Sequence, residues 1–125
     1  MVLGLGIDII EIDRIKQSVD NYGDRFLEKI FTISELEYCL SKKNKYQHLA
    51  ARFAAKEAIT KALSSVNVSP GWKDIEISNL SNGRPVVNLR SIEIKEYLGN
   101  DKKLLISMSH SDHYVTCVAI LSTTA

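Results

Sequence analysis

The chain has 125 residues, 45% of them hydrophobic and 25% charged, a balance that excludes intrinsic disorder and suits a single domain over residues 1–125. Sixteen Lys and Arg oppose fifteen Asp and Glu for a net charge of +1, so no global excess points to nucleic acid or to anionic membranes. The longest apolar stretch, Val2 to Ile10, is broken by Gly4, Gly6 and Asp8, is too short to span a bilayer and lacks the basic start of a secretory signal. Cys39 and Cys117 lie far apart among apolar or aromatic neighbours with no CxxC pairing, so buried thiols in a reducing cytoplasm are expected rather than a zinc site.

Val2 to Ile10 alternates as a strand, with Leu3, Leu5, Ile7 and Ile9 on one face and Gly4, Gly6 and Asp8 on the other. Two glycines leave the backbone bare beside a carboxylate, which invites a bulky group to approach there. Ile12, Ile15 and Val19 have helical spacing, and Phe26, Leu27 and Ile30 suggest a second short helix. Thr32 followed by Glu35 has the form of a capping box opening a third helix through Leu36, Cys39 and Leu40. After a basic loop from Lys42 to Lys45, the run from about His48 to Leu63 reads as the longest helix. It holds neither Gly nor Pro, and Ala51, Ala54, Ala55, Ala58 and Ala62 form one smooth stripe that permits close packing. Asp74 to Asn79 and Pro85 to Leu89 read as strands joined by the hairpin signal Ser81-Asn82-Gly83. Ser91 to Leu98 forms a short helix ended by Gly99, and Leu104 to His110 and Tyr114 to Leu121 form a final hairpin. Clustered helices followed by hairpins predict an α+β fold, with a largely antiparallel sheet packed on the long Ala-rich helix.

Glu57 and Lys61 are helix neighbours, ordinarily an exposed pair worth roughly 0.3–0.5 kcal/mol. Here the pair borders the alanine stripe, inside a 42–61 stretch with six basic residues and one acid, as a polyanion site would require. Asp8 is costly in an apolar strand unless it is paired or binds a cation; its other reading is a strand-end residue facing water. Convergence of Asp8 and Glu57 would make an oxygen-rich magnesium site. His110 ends a strand between Ser109 and Ser111, where ligand contacts often fall, although lone histidines are more often structural or solvent-facing. No GxSxG, Walker A or HExxH sequence occurs, so serine hydrolases, P-loop enzymes and zincins gain no support.

Four segments occur together in order: Gly6-Ile7-Asp8-Ile9 with Arg14, Arg52-Phe53-Ala54-Ala55-Lys56-Glu57-Ala58 with Lys61, Asn82-Gly83-Arg84-Pro85, and Ser107-Met108-Ser109-His110-Ser111. Over its full length the chain resembles the holo-[acyl-carrier-protein] synthase family, the small bacterial type of 4'-phosphopantetheinyl transferase. The resemblance implies transfer of the 4'-phosphopantetheine arm of coenzyme A to a serine of acyl carrier protein, releasing adenosine 3',5'-bisphosphate. It assigns Asp8 and Glu57 to magnesium (or manganese) and Lys61 to charge on the bridging oxygen and leaving group. Arg52 and His110 go to coenzyme A, at its 3'-phosphate, and the turn of Asn82, Gly83 and Pro85 to the adenine. Glu57, by way of a water, is the expected acceptor of the serine proton. Arg14 and Arg25 are expected to meet the acidic carrier protein. The resemblance further implies a homotrimer with sites between neighbouring chains.

One segment departs from the family pattern: Ser64-Ser65-Val66-Asn67 stands where many members carry a Gly-Thr-Gly turn, so backbone contacts to phosphate are not carried over to this loop. That departure is the feature favouring the alternative, a non-catalytic module that binds coenzyme A or a related nucleotide.

Overall fold

The computed structural model describes residues 1–124. In chain order the elements are β1 (Val2–Glu11), α1 (Ile12–Tyr22), α2 (Asp24–Ile30), α3 (Ile33–Leu40), α4 (Lys45–Ser64), β2 (Ile75–Asn79), β3 (Pro85–Leu89), α5 (Ile92–Leu98), β4 (Lys102–His110) and β5 (Tyr114–Thr123). The strands form two antiparallel sheets rather than one, a three-stranded sheet in the order β1-β5-β4 and a separate β2-β3 hairpin.

Helix α4 lies across the inner face of the three-stranded sheet, and the two glycines of β1 explain how closely. A Cβ on Gly6 would stand 1.9 Å from the carbonyl oxygen of Ala58, and one on Gly4 would stand 2.1 Å from that of Ala62. The bare face of β1 is therefore filled by the backbone of α4 itself. Ala54, Ala55, Ala58 and Ala62 are fully buried there, against Val115, Cys117, Ala119 and Leu121 of β5. The opposite face of the sheet is open: Leu5, Ile7 and Ile9 are 61%, 64% and 66% exposed. Leu5 pairs across β5 with Ile120, which pairs with Leu105, and Ile7 pairs with Val118, so an apolar row crosses all three strands and the patch is broad on β1, while β4 adds Ser107 and Ser109.

Local chemistry sets the helix boundaries. The Thr32 side chain accepts a hydrogen bond from the Glu35 backbone while the Glu35 side chain accepts one from the Thr32 backbone, closing the capping box of α3. Ser91 caps α5, and Gly99 ends it at a φ of 52°.

Glu35 does more than cap. Its Oε1 lies 2.7 Å from the Lys56 ammonium, and both side chains are wholly buried. Lys56 also donates to the carbonyls of Ile30 and Trp72, and Glu35 accepts from the Ile77 amide. This hub ties α4 to α3, β2 and the end of α2. It corrects the count of bases along α4, because Lys56 is spent inside the core. Cys39 and Cys117 are free and buried, and burial pushes their thiols up to about 11 and about 12.

Candidate active site

Asp8 follows Gly6 on the inner face of β1, so the close approach of α4 carries it beside that helix. Asp8 and Glu57 line one cleft of about 260 Å³, together with Arg14 and Ser18 of α1, Phe26 of α2 and Phe53 of α4. Burial raises the proton affinity of both carboxyls; the charge of Asp8 raises that of Glu57 further, while Lys61 opposes both shifts. Lys61 does not pair with its helical neighbour Glu57 among the described residues. It crosses to β1, donating to the Ile7 carbonyl at 2.9 Å and to Asp8 Oδ1 at 3.4 Å. One ammonium thus faces two carboxylates and a carbonyl, which leaves an excess of hard oxygen donors.

That donor set fits a small divalent cation of the magnesium type. The side-chain donors are all oxygen, and both the burial that chiefly raises the Glu57 pKa and the Asp8 charge that adds to it are costs a cation would relieve. Among the described residues no cluster of three or more His, Cys, Asp or Glu side chains suited to a metal forms. Two carboxylates would make only a partial shell, of the kind that magnesium, which retains waters, accepts.

The remaining expected site residues gather elsewhere. Arg52 precedes Glu57 by five positions, which turns it about 140° around the helix axis. It is 3% exposed, donates from Nη2 to Asn79 Oδ1 at 2.7 Å, and lies over the Tyr38 ring. Its Nε–H has no hydrogen-bond partner among the described residues. Asn79 in turn donates to the Gly83 carbonyl, so Arg52 is coupled to the hairpin turn. There Asn82 accepts from the Arg84 amide, Gly83 takes a φ of 87°, and Pro85 opens β3 opposite Asn79. His110 is exposed at the end of β4, within electrostatic reach of His48. None of Arg52, Asn82, Gly83, Pro85 and His110 lines the Asp8–Glu57 cleft.

Arg14 and Arg25 are both exposed. Arg14 stands at the mouth of the carboxylate cleft, and Arg25 lines an adjoining groove of about 320 Å³ with Tyr22, Phe26 and Lys29. Phe26 belongs to both, so the groove leads into the cleft. Ser64 and Ser65 are exposed, and Ser64 Oγ donates to the Lys61 carbonyl. Sequence reasoning missed Tyr38 and Asn79, the two residues that seat Arg52. Neither belongs to a motif, and only the packing of α3 and β2 against α4 brings them to it.

A model of the 4'-phosphopantetheinyl transferase superfamily matches residues 4–119. The holo-[acyl-carrier-protein] synthase of Protochlamydia amoebophila is 48% identical over 124 residues, covering 98% of this chain and 99% of that protein. The enzyme of the same name from Chlamydia trachomatis is 52% identical over 120 residues, covering 95% and 98%. Among solved structures, the Helicobacter pylori holo-[acyl-carrier-protein] synthase in complex with coenzyme A aligns with a TM-score of 0.80 at 34% identity, over 94% of this chain and 99% of that one.

Proposed function

Because the chain belongs to the 4'-phosphopantetheinyl transferase superfamily, we propose how its own residues divide the work of a holo-[acyl-carrier-protein] synthase. The enzyme transfers the 4'-phosphopantetheine arm of coenzyme A to acyl carrier protein. The carrier thereby acquires the thiol arm used in fatty acid synthesis, and adenosine 3',5'-bisphosphate leaves.

Asp8 and Glu57 are the residues that would hold magnesium. When bound, the ion supplies charge neutralisation at the diphosphate and polarises the phosphorus next to the pantetheine arm. Lys61, already turned toward Asp8, would offset the charge that develops on the bridging oxygen and leaving group. Glu57 accepts the serine proton by way of a water. Arg52 and His110 take the 3'-phosphate, and Asn82, Gly83 and Pro85 frame the adenine. Arg14 and Arg25 flank the entrance from which an acidic carrier protein delivers its serine, which mainly speeds association.

The separation of these groups around α4 supports a site completed by a second copy of the chain. The apolar outer face of the three-stranded sheet supports the homotrimer that would supply it. Among the described residues no helix is long and apolar enough to cross a membrane, and two buried free thiols are in keeping with a cytoplasmic location.

The observation that carries this reading is the meeting of Asp8 and Glu57 in one cleft, with Lys61 ion-paired to Asp8. Mass spectrometry of apo-carrier protein incubated with the enzyme, coenzyme A and magnesium tests it. The carrier gains one phosphopantetheine arm with the wild type, and Asp8→Ala or Glu57→Ala slows the gain at least about 100-fold. Wild-type rates in either variant would end the metal assignment. Bound coenzyme A without any gain would favour the binding module.

A further inference from the structure

Three basic side chains converge around the Tyr38 ring on the Arg52 side of α4, a fourth, His110, lies within electrostatic reach, and among the described residues none is neutralised by an ion pair. The Arg52 guanidinium lies 4.5 Å from the centre of the Tyr38 ring and the Lys42 ammonium 4.6 Å from it, while His48 meets the same ring edge-on at 5.5 Å. His110, at the end of β4, lies within electrostatic reach of His48. Among the described residues none of the four enters an ion pair, and buried Arg52 keeps an unpartnered Nε–H. A buried guanidinium beside further positive charge is costly unless an anion joins it. A phosphomonoester, which carries about −1.5 to −2 near neutral pH, matches that shortage better than a phosphodiester with its single charge.

Resting on the reading of this side as the nucleotide-binding half, we propose that His48 is a proton-linked contact for the 3'-phosphate of coenzyme A. It is neutral in the free protein and takes up a proton when the phosphate binds. Burial, then the charges of Arg52, Lys42 and His110, hold its imidazole below the usual histidine range. Those are the charged groups that face it, from its own helix, from the α3–α4 loop and from β4, with the Tyr38 phenol on α3 the remaining titratable neighbour. A dianion seated among them reverses the local field, so the imidazole gains its proton on binding. Coenzyme A binding therefore weakens as pH rises. Dephospho-coenzyme A carries no such charge and leaves the four bases uncompensated.

The test compares the KM for coenzyme A and for dephospho-coenzyme A between about pH 6.5 and 8, in the wild type and in His48→Phe, which keeps an aromatic edge against Tyr38. In the wild type the KM for coenzyme A rises with pH, by at most about tenfold per unit for one proton. In His48→Phe it is raised several-fold at the acid end and varies less than about twofold across the range, the change lying in KM rather than kcat. The KM for dephospho-coenzyme A is higher and flat in both proteins. A His48→Phe variant that keeps the wild-type slope overturns the proposal, as do equal KM values for the two substrates in the wild type. Failure of the underlying reading looks different: no carrier gains mass with either substrate, which overturns both.

Discussion

Lys56 and Glu57 are adjacent in the chain and have opposite fates. Glu57 opens to a cleft, whereas Lys56 is wholly buried and spends its charge on Glu35 and two carbonyls. Removing the cation alone would strand the Glu35 carboxylate in the core. Lys56→Met is expected to cost about 3–5 kcal/mol in urea unfolding. The double variant Lys56→Met with Glu35→Leu recovers only part of that, because the Thr32 and Ile77 amides then lose their acceptor. A single variant within about 1 kcal/mol of the wild type would mean that the hub is not what anchors α4.

The contact of β1 with α4 governs the carboxylate site at the level of whole elements. Both glycines of β1 meet helix carbonyls where a methyl group has no room, and the obstruction is backbone that cannot rotate aside. Gly6→Ala is expected to push α4 off the sheet at a cost of at least about 1–3 kcal/mol. The same displacement separates Glu57 from Asp8, so the magnesium concentration for half-maximal transfer rises along with the loss in Tm. A fall in Tm with no change in magnesium requirement would detach the glycine contact from the site and leave it a packing feature only. The hydrogen bonds of Lys61 to Ile7 and Asp8 tie the same two elements from the exposed side.

For the molecule as a whole, the telling feature is the outer face of the β1-β5-β4 sheet. A sheet covered on one side by α4 ordinarily turns polar residues to water on the other. This one presents Leu5, Ile7, Ile9, Leu105, Val118 and Ile120, with Lys103, Ser107, Ser109 and Thr116 the polar residues on the same face. In the proposed homotrimer, this face is where copies of the chain associate. Ile7→Asp is expected to sediment as a folded monomer with unchanged circular dichroism and at least tenfold lower transfer, roughly the loss from placing one charge in an apolar contact. A monomeric variant with full activity would show that one chain holds the complete site.

Much of this was legible in the residues themselves. The capping box at Thr32 and Glu35, the glycine stop at Gly99, the hairpin turn at Gly83 and the run of α4 rest on neighbours within a few positions, and such local preferences survive without the rest of the chain. The motifs around Asp8, Arg52 and His110 indicated the family for the same reason, since chemistry imposes its residue types directly on the sequence. Periodicity separated the two faces of β1 but did not reveal which was covered; an apolar strand face looks alike against a core and against a partner. Nor did it distinguish Lys56, neutralised by a residue 21 positions earlier, from the bases around it. Burial, charge pairing and the partition of the site around α4 depend on which distant segments meet, and only the packed chain decides that.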